Sequence, residues 1–122
     1  MWKIRENVLK SIAQAATNTF PNEFIAFLGG NKKTKTIEEL IILPSVFGTE
    51  QAIIRSDLLP LGVKTFGSVH SHPGGSNFPS RQDKKMFAQT GEIHFIICEP
   101  FLPENIRAFG ENGKETAFET IP

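Results

Sequence analysis

Apolar positions recur at helical spacing over residues 3–18, where Ile4, Val8, Leu9, Ile12, Ala15 and Ala16 share a face and Lys3, Glu6, Lys10 and Gln14 lie between them. This spacing predicts an amphipathic helix laid on a sheet. Phe20-Pro21-Asn22 ends it, because proline disfavours helical dihedrals at the residue before it and lacks the amide that a continuing helix would use. The apolar period then shortens. Residues 23–28 read as a mostly apolar strand, Gly29-Gly30-Asn31-Lys32-Lys33 as a turn and residues 37–43 as a returning strand, which together predict a hairpin. Residues 44–48 read as loop and 51–55 as a further strand, with Asp57-Leu58-Leu59-Pro60 turning out of it. Residues 64–71 are strand-like, since Thr65, Phe66 and Val69 favour extended backbone.

After a loop at 73–79, residues 80–89 predict a second helix with Met86 and Phe87 turned to the core. Residues 92–99 are rich in Ile and alternate only weakly, as a central strand covered on both faces would. Residues 105–109 and 115–121 predict a last hairpin around Glu111-Asn112-Gly113. The order helix, strands, helix, strands gives a mixed α/β or α+β sandwich. The 122 residues suffice for one domain, expected over 1–122, and are too few for two substantial cores.

Composition narrows the function. Thirteen Lys and Arg balance thirteen Asp and Glu, so no global field draws the chain to nucleic acid or anionic lipid. No apolar stretch approaches the roughly 20 residues that span a bilayer, and Met-Trp-Lys-Ile-Arg-Glu returns to charge too soon for a secretory signal. The expectation is a cytoplasmic protein, monomeric or a small homo-oligomer, with no membrane or nucleic-acid partner. Its single cysteine, Cys98, excludes an intrachain disulfide and a Cys-rich zinc cluster. Metal ligands would have to be His, Asp or Glu.

Those residues gather in 67–83, Gly-Ser-Val-His-Ser-His-Pro-Gly-Gly-Ser-Asn-Phe-Pro-Ser-Arg-Gln-Asp. On a strand, His70 and His72 point to the same face with Cα atoms about 6.5 Å apart, close enough for both imidazoles to reach one ion. Asp83, in the first turn of the following helix, can swing back across a loop whose Pro73, Gly74, Gly75 and Ser76 permit a sharp reversal. Two His and one Asp match the three protein ligands of a hydrolytic zinc, with a fourth position left for water. Ser80-Arg81-Gln82-Asp83 also has the form of a capping box, so both residues have a structural reading beside the chemical one. Hydrolysis needs a base outside the ligand set, and Glu23 is the candidate, with Glu38, Glu39 and Glu50 competing on composition alone.

Glu23, then His70-Ser71-His72-Pro73, then Ser80 and Asp83 together resemble the JAMM signature of MPN+ domain zinc metalloproteases, the isopeptidases that include deubiquitinating enzymes. Pro21-Asn22-Glu23 followed by Phe-Ile-Ala-Phe-Leu-Gly-Gly resembles that family's glutamate strand, with Ala26 where many members have glycine. The resemblance implies a single curved, mostly antiparallel sheet flanked by helices, an MPN/JAMM-like and cytidine-deaminase-like sandwich. It implies Zn2+ held by His70, His72, Asp83 and a water, with Glu23 as general base and Ser80 as oxyanion donor. It further implies cleavage of isopeptide or peptide bonds after the C-terminal Gly-Gly of a ubiquitin-like modifier, bound by strand addition. The short chain looks like the bare prokaryotic or archaeal form, acting on small ubiquitin-like modifiers or sulfur-carrier proteins.

Three other readings have to be weighed. Two His and a carboxylate also describe mononuclear iron oxygenases, which do not require an outlying base. MPN domains without metal serve as binding scaffolds, against which the intact ligand set argues. Zinc deaminases need a Pro-Cys-x-x-Cys element that is missing here. Cys98 and His94 are no thiol dyad, since i and i+4 on a strand lie about 13 Å apart, and both read as core residues. Lys32, Lys33 and Lys35 read as a solvated turn.

Overall fold

The computed structural model describes residues 1–42, 46–47, 52–53 and 65–122. In chain order these form β1 (Trp2–Arg5), α1 (Glu6–Thr19), β2 (Ile25–Asn31), β3 (Thr36–Ile41), β4 (Val46–Phe47), β5 (Ala52–Ile53), β6 (Gly67–His72), α2 (Arg81–Thr90), β7 (Ile93–Cys98), β8 (Ile106–Gly110), β9 (Glu115–Thr116) and β10 (Phe118–Ile121). Eight strands make one sheet in the order β10-β1-β3-β2-β6-β7-β8-β9, while β4 and β5 pair apart from it. The ladders β2–β3, β2–β6, β7–β8 and β8–β9 are antiparallel; β1–β10, β1–β3 and β6–β7 are parallel. The two edge strands, β9 and β10, are separated in sequence by Ala117 alone. The sheet therefore curls until it nearly closes on itself. This is the mixed α+β, curved and mostly antiparallel architecture expected from the sequence.

The curvature separates two apolar layers. On one face α1 buries Val8, Leu9, Ile12 and Ala16 against Ile4, Phe24, Ala26, Leu28, Ile37, Val69, Phe95 and Ile97. Each large aliphatic side chain removed from water there contributes roughly 1.5–3 kcal/mol. On the other face α2 lays Phe87 on Ile96 and Phe109, with Met86 partly buried beside them. Central β7 is buried at every position, as its Ile-rich sequence predicts. Gly67 lets β6 approach β7, because a Cβ there would overlap the Ile93 carbonyl oxygen.

Several elements differ from the sequence reading. Residues 2–5 are a strand rather than the start of the helix, since Trp2 and Ile4 are buried and Lys3 and Arg5 are not. Four residues of alternation are too few to compete with the helical period that follows. Gly29, Gly30 and Asn31 extend β2, and the turn falls at residues 32–35, where Lys35 takes a φ of 53°. Val46 and Phe47, expected in a loop, pair with β5. The final hairpin exists only between β8 and β9, because β10 crosses to pair in parallel with β1. The strand residue 43, the loop residues 44, 45 and 48, most of 51–55 and the 57–60 turn lie outside the described residues.

His94 is the buried polar tie between the sheet and α2. Its ring stacks on Phe87 with centroids 4.3 Å apart at 11°. Its Nε2–H donates to the Gly91 carbonyl at 2.9 Å, which leaves Nδ1 to accept the Ser68 hydroxyl at 2.8 Å. Burial pushes its pKa down to about 4, against hydrogen bonds to Gly91 and Phe87 that act upward. The folded chain thus takes up this proton less readily than the unfolded one, whose value stays near 6.5. The neutral ring's stabilisation is complete above that value and lost as pH falls towards 4. At pH 5 the loss should be about 2 kcal/mol. Urea unfolding at pH 7 and pH 5 should show that difference in the wild type and a smaller one in His94→Gln; equal acid sensitivity would contradict this role.

Candidate metal centre

His70 and His72 stand two positions apart on β6 and face the α2 side of the sheet, while Val69 and Ser71 between and beside them face the α1 core. Asp83 is the third residue of α2. Three side chains converge: His70 Nε2 lies 3.1 Å from Asp83 Oδ1, His72 Nε2 lies 3.1 Å from Asp83 Oδ2, and the two Nε2 atoms are 3.1 Å apart. Tetrahedral zinc ligands at about 2.0–2.1 Å from the ion are separated from one another by about 3.3 Å. The donor set therefore has the size of such a site before any ion is considered. These three residues form a group able to hold a metal ion.

The second nitrogen of His72 favours the same reading. Its Nδ1 lies 3.0 Å from the Ser76 carbonyl, which can only accept, so Nδ1 carries a proton whatever the charge of the ring, and the neutral ring keeps its Nε2 lone pair for an ion. Outer hydrogen bonds of this kind orient metal-binding imidazoles. The loop supplying Ser76 is itself fastened. The Glu99 amide donates to the Gly74 carbonyl at 3.0 Å, and Asn77 Nδ2 donates to the Asn105 carbonyl at 2.9 Å. Arg107 Nε donates to Asn77 Oδ1 at 2.8 Å, while its guanidinium lies 4.5 Å from the Phe78 ring centroid and pairs with Glu115 at 2.7 Å.

Asp83 serves two structures at once. The Ser80 amide donates to its Oδ2 at 2.8 Å and the Asp83 amide donates to Ser80 Oγ at 3.1 Å, completing a capping box at the start of α2. The capping reading and the metal reading of Asp83 are thus compatible, because one carboxylate has lone pairs enough for both. Burial would raise its pKa, but hydrogen bonds from His70 and His72 and the Ser80 amide hold it well below the usual carboxylate range. Ser80 uses a lone pair as the cap acceptor, which leaves its hydroxyl proton available to another acceptor.

Glu23 reaches this neighbourhood from the far side of the sequence. Ile25 pairs with His70 across the β2–β6 ladder, and the Ser71 amide donates to the Phe24 carbonyl at 2.9 Å. Continuing that register places Glu23 opposite His72 on the same face. It is half-buried, and its charge is among the causes that raise His72. Glu38 and Glu39, the described competitors, are exposed and lie on β3, with Glu38 paired to Arg5; Glu50 falls outside the described residues. His94 and Cys98 are both buried in β7. Spacing alone had not pointed to Ser76 as the orienting carbonyl, to Arg107 as the loop's anchor, or to Ser71. For Ser71 a signal existed: on a strand it belongs to the apolar face, where a small hydroxyl asks for a partner.

Comparison with known proteins places this geometry in a family. The model of prokaryotic homologues of the JAB domain matches residues 5–110, and the chain belongs to that family. It is a JAMM/MPN+ metalloprotease-like domain. A probable metalloprotease from Haloferax volcanii is 31% identical over 120 residues, covering 91% of this chain and 74% of the relative. A JAB1/MPN domain protein from Archaeoglobus fulgidus superposes with a TM-score of 0.80 at 37% identity, over 98% of this chain and 99% of the other. A structure described as JAMM, a metalloprotease-like zinc site in the proteasome and signalosome, superposes with a TM-score of 0.81 at 34% identity, over 100% of this chain and 99% of the other. Among the described residues, no helix is long and apolar enough to cross a membrane.

Metal loading should depend on pH through His72. Burial would lower its pKa, but the hydrogen bond and charge of Asp83, the Ser76 carbonyl and Glu23 together raise it above 6.5. A ligand must shed its proton to bind metal. Zinc affinity, measured against a chromophoric chelator, should therefore fall about tenfold or more between pH 8 and pH 5.5. A flat profile across that range would show that His72 Nε2 is not a ligand.

Proposed function

We propose that the chain is a zinc-dependent protease that hydrolyses the isopeptide or peptide bond after the C-terminal Gly-Gly of a ubiquitin-like modifier. The observation that carries this reading is the convergence of His70, His72 and Asp83 with a carboxylate, Glu23, beside them but outside the ligand group. An iron oxygenase has no need of that fourth residue, and an MPN module acting only as a scaffold has no need of the ligand set. His70 Nε2, His72 Nε2 and an Asp83 oxygen would hold the ion. When bound, zinc supplies Lewis acidity, which polarises a carbonyl and acidifies water.

The chain's own groups then handle the protons. Glu23 accepts a proton from the attacking water as its oxygen bonds to the carbonyl carbon, and returns it to the amine nitrogen when the C–N bond breaks. Ser80 donates a hydrogen bond from its hydroxyl to the carbonyl oxygen as negative charge builds there, and keeps its proton. The products are a modifier ending in a carboxylate and a free amine. A Gly-Gly tail suits the reaction because two residues without side chains can enter a narrow cleft in extended form, whether the substrate is a conjugate or a sulfur-carrier protein.

Glu23→Gln should bind zinc as the wild type does and lose roughly 100- to 10,000-fold in cleavage of a modifier conjugate; undiminished cleavage would remove Glu23 from the mechanism. Ser80→Gly separates the serine's two tasks, because glycine caps a helix almost as well as serine, at a cost of only a few tenths of a kcal/mol. Its melting temperature should barely change while kcat falls roughly 100- to 1,000-fold. A stable Ser80→Gly variant with full activity would confine Ser80 to capping.

A further inference from the structure

We propose that Ser71 is a positioning residue for Glu23, acting through a two-point clamp on the backbone of Phe24; this rests on the reading of Glu23 as the base. In a regular hydrogen-bonded pair of an antiparallel ladder, two opposed residues exchange both backbone bonds. Here the Ser71 amide donates to the Phe24 carbonyl at 2.9 Å, but the return bond is different. The Phe24 amide donates to Ser71 Oγ at 2.7 Å, so a side-chain hydroxyl takes the place of a backbone carbonyl. Both residues are buried, at 1% and 4% exposure, which excludes water as a substitute acceptor.

The clamp sits where it can govern catalysis. Phe24 is the residue after Glu23, and its ring is anchored in the α1 core. Ladder pairing begins only at Ile25, opposite His70. Glu23 thus lies just ahead of β2, held on one side by this clamp, with Phe20, Pro21 and Asn22 leading back to α1. Ser71 separates the two histidines in sequence, and alternation turns its side chain away from the metal group. One short segment therefore holds the ligands with its even-numbered residues and fixes the backbone carrying the base with the odd-numbered one between them. Because a shift of about 1 Å in a reacting group can cost up to a hundredfold in rate, the hydroxyl is placed to affect turnover while touching neither metal nor substrate.

The test compares Ser71→Ala, Ser71→Thr and Ser71→Ala combined with Glu23→Gln, using zinc affinity, amide hydrogen exchange at Phe24, and kcat and KM on a modifier conjugate. Ser71→Ala should keep wild-type zinc affinity, exchange its Phe24 amide at least tenfold faster, and lose roughly ten- to hundredfold in kcat with KM unchanged. Ser71→Thr, which retains the hydroxyl, should restore both exchange and kcat. In the Glu23→Gln background Ser71→Ala should cost nothing more. Unchanged exchange at Phe24 would overturn the clamp. Fast exchange with full kcat, or the same fractional loss in the Glu23→Gln background, would overturn its role in positioning Glu23. Full activity of Glu23→Gln would instead overturn the assignment of the base itself, and the exchange rate would still report on the clamp.

Discussion

Antiparallel pairing of β2 with β6 sets Ile25 against His70 and draws Phe24 onto Ser71, and the remaining features of the site depend on that contact. Forty-seven positions separate Glu23 from His70, and it is this ladder that brings a carboxylate from the first part of the chain to the histidine strand. The register is demanding because strand side chains alternate. A slip by one residue would turn Glu23 into the α1 core and bring Phe24 to the metal group. Burial of Phe24, Ala26 and Leu28 beneath α1 opposes that slip, so the hydrophobic pattern of β2 also fixes the placement of its polar end.

On the other face, α2 provides both a lid for a small core and a candidate ligand. Phe87 packs on Ile96 and Phe109 and stacks on His94, which ties the helix to the sheet. Asp83 projects from the first turn of that helix, and its carboxylate caps the helix while it meets both imidazoles. Helix stability and the geometry of the candidate metal group are thus coupled through one side chain. The connecting loop is held through its own Asn77, which donates to the Asn105 carbonyl and accepts from Arg107 at the start of β8, so the path from His72 to Asp83 is held at its middle as well as its ends.

How much of this was legible in the sequence follows from the range of each signal. His70, His72 and Asp83 were visible because strand and helix periods fix their directions over a few residues. α1, β7 and the capping box were readable for the same reason, being local patterns. The placement of Glu23 was not local: it came from the resemblance to the JAMM signature, and the β2–β6 register supplies its physical basis. β1 and β10 were misread because their pairing is parallel and joins opposite ends of the chain, leaving no turn between them for the sequence to announce. Arg107 escaped notice because a guanidinium carries no mark of its partner until the strands are assembled, and for Ser71 alternation announces the need for a partner without saying that it is the Phe24 amide.

The central claim is that the His70, His72 and Asp83 group works with zinc to hydrolyse a bond after a ubiquitin-like Gly-Gly tail. It is tested most directly by metal analysis of the protein as purified without oxygen, coupled to cleavage of such conjugates before and after chelation. The prediction is one zinc per chain, with cleavage abolished by the chelator and restored by added zinc. Stoichiometric iron with oxygen-dependent turnover, or cleavage that survives complete removal of metal, would contradict it.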